Sequence, residues 1–193
     1  MRFGVGLMQV ANFAGIAATQ RALLAGMASI PTADEFVCFG TAPDLEFVPT
    51  FPNFSRRLVP EGQFPVPADL ERIDLFHGLS YVIPPTRCCR TVVTIHDTLM
   101  LSNIDQLPDE IVGPNQHMIR LCAGLADRVI TASHYALDCI LHDLHVPKDR
   151  IDVVYNGILP AFRKNDDHVL ITEGFRRLGV TPPYIRTCPI IRG

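Results

Sequence analysis

The stretch Thr91-Val92-Val93-Thr94-Ile95-His96-Asp97 constrains this chain more than any other. Val92, Val93 and Ile95 are β-branched, stiff at χ1 and suited to a pleated strand. Their near-continuous apolar character predicts a parallel strand covered on both faces rather than a half-solvated one. The polar pair Asp97-Thr98 ends the run, which leaves His96 at the carboxyl end of the strand. Ligands of open α/β sheets bind just beyond that end, and histidine is the side chain most readily charged near neutral pH. His96 is therefore a candidate functional residue. A satisfied strand-end histidine beside a capping Asp97 is the plainer alternative.

The rest of the chain alternates around this strand. Residues 2–10 read as a first strand. Residues 11–15 form a loop, and a helix follows to about residue 30, with Leu23, Met27 and Ile30 on one face and Pro31 stopping it. Residues 35–39 are a second strand. Residues 41–70 show no period; prolines alternate there with Phe47, Phe51, Phe54 and Phe64 around Arg56-Arg57. That segment reads as a docked, partly ordered loop or, more plainly, a variable surface excursion. Residues 73–76 form a short strand ending in His77-Gly78, and residues 81–83 are a further apolar fragment. Pro114 starts a helix, at a position where its missing N–H costs nothing, with Met118, Leu121, Cys122 and Leu125 facing inward. A strand at 128–131 leads to Ser133, which can cap a helix from His134 to about Asp143. A strand at 151–155 closes at Asn156-Gly157, a pair suited to positive φ. Residues 166–178 read as a final helix with Gly179 as its C-cap. About six strands with helices between them predict an α/β, Rossmann-like, doubly wound, mostly parallel sheet.

Composition narrows the function classes. The chain has 193 residues, 48% of them hydrophobic, and a net charge of -3. A general nucleic-acid footprint is not expected, because there is no excess of Lys or Arg to neutralise phosphates. The six cysteines include no CxxC, and Cys88-Cys89 are adjacent, which suits neither a zinc knuckle nor a disulfide framework. A reduced, cytoplasmic compartment is expected. The N-terminus lacks the apolar stretch and small-residue cleavage site of a signal peptide. No apolar run reaches the ~20 residues of a membrane span, so the membrane contact left open is peripheral. Gly4 and Gly6 lack the third glycine of a dinucleotide fingerprint, since Gln9 stands in its place. His142 and His145 flank Asp143 without a further ligand at metal-binding spacing, so no metal is expected. Ser133-His134 lacks a nucleophile elbow, and no P-loop occurs.

Four stretches taken in order carry a resemblance: Asp74-Leu75-Phe76-His77-Gly78; Thr91 to Asp97; Ala126-Asp127-Arg128-Val129-Ile130-Thr131-Ala132-Ser133; and Val146-Pro147-Lys148-Asp149-Arg150-Ile151-Asp152-Val153-Val154-Tyr155-Asn156-Gly157-Ile158. Together they resemble the N-terminal half of family-4-like glycosyltransferases of the GT-B fold. The resemblance implies one half of a GT-B fold over residues 1–180, the acceptor-side domain. It implies a retaining, metal-free transfer of a hexose, with a nucleotide-sugar donor as co-substrate and no bound cofactor.

By position, His96 resembles the family's cleft histidine, which contacts the transferred sugar. The acceptor-side positions would be Gly15, His77, Gly78 and Asp97. Ala14 replaces one glycine of the pair that the family usually carries after its first strand. Ser133, Asn156 and Gly157 match cleft or hinge positions, with helix cap and turn as plainer readings. The expected partners are a glycan or lipid-linked acceptor, and a nucleotide sugar only with a C-terminal domain. Peripheral contact at the inner face of the membrane fits that chemistry. Residues 181–193 read as an aberrant or truncated start of the donor domain, without the family's basic pair or Glu pair. The chain alone is then expected to be inactive. The alternative is a non-catalytic remnant or a binding module for a glycan or partner domain.

Overall fold

A computed structural model of the chain describes residues 1–8, 14–64, 70–102, 109–157 and 167–179. The chain divides into two units, Met1–Gly157 and Ile158–Gly193. In the first, seven strands form one sheet: β1 (Arg2–Gly6), β2 (Glu35–Gly40), β3 (Phe54–Leu58), β4 (Leu75–Gly78), β5 (Arg90–Thr94), β6 (Arg128–Thr131) and β7 (Ile151–Val153). Their order is β3-β2-β1-β4-β5-β6-β7, and every pairing is parallel. The direction of winding reverses between β1 and β4, the switch point where such sheets open a crevice.

Helices cover both faces. On one lies α1 (Ala14–Ser29), whose Ala17 and Leu24 meet Val5, Leu7, Phe36 and Cys38. On the other lie α4 (Asp109–Leu125) and α5 (His134–Leu144), whose Ile119, Cys122, Leu137 and Ile140 meet Phe39, Phe76, Val93, Ile95 and Val129. Two short helices, α2 (Ala42–Leu45) and α3 (Leu99–Ser102), follow β2 and β5. Val93 and Ile95 are fully buried, as the apolar run predicts.

The two glycines of β1 have a packing cause. Gly4 pairs with Phe76 across β1 and β4. A Cβ at Gly4 would stand 2.7 Å from Phe76 Cδ2, and one at Gly6 would stand 2.9 Å from Phe76 Cε1. The pair leaves room for an aromatic ring at the switch point.

Several expectations are corrected. Residues 41–70 are not one irregular loop, for α2 and the edge strand β3 form within them. Arg56 of β3 donates to the carbonyls of Leu45 (3.1 Å) and Val48 (2.5 Å), tying the excursion to the sheet. The helix expected from Pro114 begins at Asp109, which places Pro114 inside it. Position 14 already belongs to α1, and β7 stops at Val153. Positive φ among the described residues occurs at His145, Gly62 and Gly179, not at Asn156 or Gly157. The chain beyond β7 instead runs on from a bond of Val154 N–H to the Thr131 carbonyl, 2.8 Å.

In the second unit the described residues form α6 (His168–Leu178), capped by Asp167, which accepts from the N–H groups of Val169 and Leu170. Gly179 closes it at φ 63°. The expected donor-domain start at 181–193 lies outside the described residues, as do residues 9–13, where the end of the first strand and the loop after it were expected.

Candidate functional site

The sheet brings His77 and His96 to its carboxyl edge. His77 is the third residue of β4, and His96 follows the last residue of β5 by two positions. β4 and β5 are parallel neighbours with His77 paired to Val92, so His96 lies four positions further along, past the carboxyl end of the sheet.

His77 is half-buried. Its Nε2 lies 2.8 Å from Thr94 Oγ1 on β5. Burial pushes its pKa down to about 4, because a low-dielectric setting disfavours the imidazolium. At neutral pH the ring is therefore uncharged, a hydrogen-bonding group between two strands.

His96 is half-buried, and its Nε2 lies 3.3 Å from the Leu79 carbonyl oxygen in the turn after β4. A carbonyl can only accept, so Nε2 must carry the hydrogen. In the neutral ring the lone pair then resides on Nδ1, which can accept a bond from a hydroxyl.

The loop after His96 is held firmly. Asp97 is exposed, and its Oδ1 accepts the Leu99 N–H at 3.0 Å, starting α3. Thr98 is 3% exposed and donates to Asp143 Oδ2 on α5 at 2.6 Å. That bond is the largest cause holding the Asp143 carboxyl below its usual range. Behind the strand, Asp127 accepts the Thr91 N–H at 2.8 Å, which with Arg90 holds its own carboxyl low.

Two of the remaining candidates, Gly78 and Ser133, have local structural causes. A Cβ at Gly78 would overlap the Val82 carbonyl oxygen, so glycine lets the chain fold back after β4. Ser133 caps α5, its Oγ accepting the Ala136 N–H at 3.1 Å. Gly15 lies in the first turn of α1, exposed, with nothing within 4 Å of a would-be Cβ. Asn156 and Gly157 are exposed beyond β7.

A cavity of about 510 Å³ opens at the same end of the sheet. Gly6, Gly40 and Val59 bring the ends of β1, β2 and β3 to it, and Pro114 and Met118 of α4 close one side. Neither histidine lines it. Phe76 does, and neighbours in a strand point to opposite faces, so His77 lies on the α1 face and the cavity on the α4 face. The sequence did not point to this cavity because its walls come from six separated segments. Only the interleaved aromatics of 41–70 pointed toward it.

Two features also frame the cavity. Gln20, 1% exposed on α1, holds the Met8 backbone through its amide nitrogen, 3.1 Å from the Met8 carbonyl. Tyr81 donates to Asn115 Oδ1 at 2.7 Å. Among the described residues no cluster of His, Cys, Asp or Glu could hold a metal, and no helix is long and apolar enough to cross a membrane.

A doubly wound, wholly parallel sheet whose winding reverses between β1 and β4 is a Rossmann-like domain. The model of Glycosyltransferase Family 4 matches residues 23–162, and the chain belongs to that family. Crystal structures of Anabaena Alr3699/HepE share the fold. The complex with UDP-glucose is 15% identical with a TM-score of 0.58, and that with UDP and glucose is 12% identical with a TM-score of 0.59. Each match covers 93% of this chain and 50% of the other, so this chain spans half the length of the structures it matches. It is one half of a GT-B fold. No curated protein matches it.

Proposed function

We propose that this chain is the acceptor-side half of a retaining glycosyltransferase that moves a hexose from a nucleotide diphosphate sugar to a hydroxyl of a glycan or lipid-linked acceptor. The observation that carries the reading is the bond from His96 Nε2 to the Leu79 carbonyl, within the stretch matched by the family. It turns Nδ1 into a fixed acceptor at the carboxyl edge of the sheet, where a sugar hydroxyl can donate to it. In a closed, water-poor cleft such a preorganised contact is strong, because it costs no reorganisation when charge develops. His96 thus orients and stabilises the transferred sugar. The proton of the acceptor hydroxyl passes to the leaving phosphate, so His96 is not the general base. His77 sits under the site, neutral and bonded to Thr94, and keeps the ends of β4 and β5 in register. Gly15, Gly78 and Asp97 shape the acceptor side, and Ser133, Asn156 and Gly157 lie toward the hinge.

Transfer needs donor and acceptor held together in near-attack geometry, and the donor belongs to the other half of the fold. The expected result with purified chain is no release of UDP or sugar from UDP-glucose or any other nucleotide sugar. Sustained turnover by this chain alone would overturn the reading.

A further inference from the structure

The cavity on the α4 face has walls that discriminate between kinds of acceptor. We infer that it seats the acceptor's aglycone, and that this aglycone is a neutral, apolar molecule bearing a hydroxyl rather than a phosphate or diphosphate carrier. The inference rests on the acceptor-side reading above and names the substrate class of that side.

Size comes first. About 510 Å³ falls in the range of roughly 300–1,000 Å³ that holds small molecules with most of their surface buried. The walls come next. Phe39, Val59, Phe64, Phe76, Ile83 and Met118 present rings and aliphatic groups, so an apolar ligand gains by leaving water. Charge decides the rest. The charged residues in the lining are Asp44 and Glu61, both acidic, and no described lining residue is Lys or Arg. A phosphate here would face carboxylates without the cation that phosphate sites rely on, and burying an unpaired charge is costly.

The polar groups that are present suit a hydroxyl. Asp44 is 3% exposed, and its Oδ2 accepts from the Thr41 hydroxyl at 2.7 Å and the Thr41 N–H at 3.3 Å. Tyr81 fixes the Asn115 amide through Oδ1. Both side chains are held in place by a neighbour within an apolar wall, and a few fixed polar groups in an apolar wall are what orients a neutral alcohol or phenol.

Two probes that share one ring system test this: 2-naphthol and 2-naphthyl phosphate, titrated by fluorescence into the full chain. The chain contains no tryptophan, so the naphthyl signal is read without indole background. The expected result is saturable binding of 2-naphthol, with 2-naphthyl phosphate weaker by about tenfold or more, the factor that 1.4 kcal/mol represents. Val82→Phe, which puts a ring into the cavity, should abolish naphthol binding. Glu61→Lys changes an exposed residue of the lining, and it should bring the phosphate's affinity up toward that of naphthol.

Equal or tighter binding of the phosphate by the unaltered chain would overturn the inference. So would no binding of 2-naphthol, or a Glu61→Lys chain that leaves the preference unchanged. The turnover assay on the isolated chain is independent of these titrations. A naphthol failure in a chain that turns over no nucleotide sugar therefore removes only the aglycone inference.

Discussion

The Nε2 atom of His77 lies 2.8 Å from the hydroxyl of Thr94, a bond between neighbouring parallel strands. It holds a ring whose pKa burial has pushed down to about 4 from an ordinary 6.5. The unfolded chain therefore takes up a proton at His77 between pH 6.5 and 4, while the folded chain does not. Protonation favours unfolding in that window, so this group lowers stability as pH falls and leaves it unaffected above about pH 7.

The expected loss attributable to His77 is about 3 kcal/mol between pH 7 and pH 4. Urea unfolding across that range, for the unaltered chain and His77→Gln, isolates it from the carboxylates that also titrate. The variant should show a flatter profile above pH 4. Parallel profiles would mean that the ring charges in the folded state.

Gly78 should tolerate no side chain. Its Cβ position is occupied by the Val82 carbonyl oxygen, and backbone cannot move aside as a flexible side chain can. Gly78→Ala should cost about 1–3 kcal/mol or more, the range of overpacked sites. It should also displace the turn that carries Leu79, the partner of His96. Thermal unfolding checks the first effect, and the His96 ring resonances by NMR check the second. An alanine variant as stable as the parent would contradict the observed close approach.

Ser133 should behave as a cap. Ser133→Ala removes the acceptor for the Ala136 N–H and should cost about 0.5–2 kcal/mol, with Ser133→Asp close to the parent. If Asp fails to restore stability, the side chain does something other than cap α5.

The sequence made the sheet legible because its signal is local. The β-branched run at 91–95 and the apolar run before His77 each specify a strand without reference to a neighbour, and both histidines stand where those runs end. The edge strand β3 was hidden because Phe54-Ser55-Arg56-Arg57-Leu58 is mostly exposed and carries no apolar period. Its place is set by pairing with β2 and by the bonds of Arg56 to distant carbonyls. The start of α4 was misplaced because Pro114 carries a strong start signal, yet the helix begins upstream of it and tolerates the proline.

At the site, the spacing of residues showed which positions reach the carboxyl edge. It could not show that His96 is oriented by a carbonyl 17 residues away. Nor could it show that Gly4 and Gly6 make room for Phe76 rather than for a phosphate.

The most direct test of the account is UDP release from UDP-glucose by a hybrid enzyme. In it, residues 1–157 replace the corresponding first half of Alr3699/HepE, whose crystal structures contain UDP-glucose. Hydrolysis of the donor reads the cleft without the natural acceptor. His96→Ala in that hybrid should lower kcat by about 10²–10³, the cost of one preorganised contact to a charge-developing centre, with an unchanged melting temperature. A variant that melts earlier but releases UDP at the parent's rate per folded molecule would make His96 a structural residue and contradict the account.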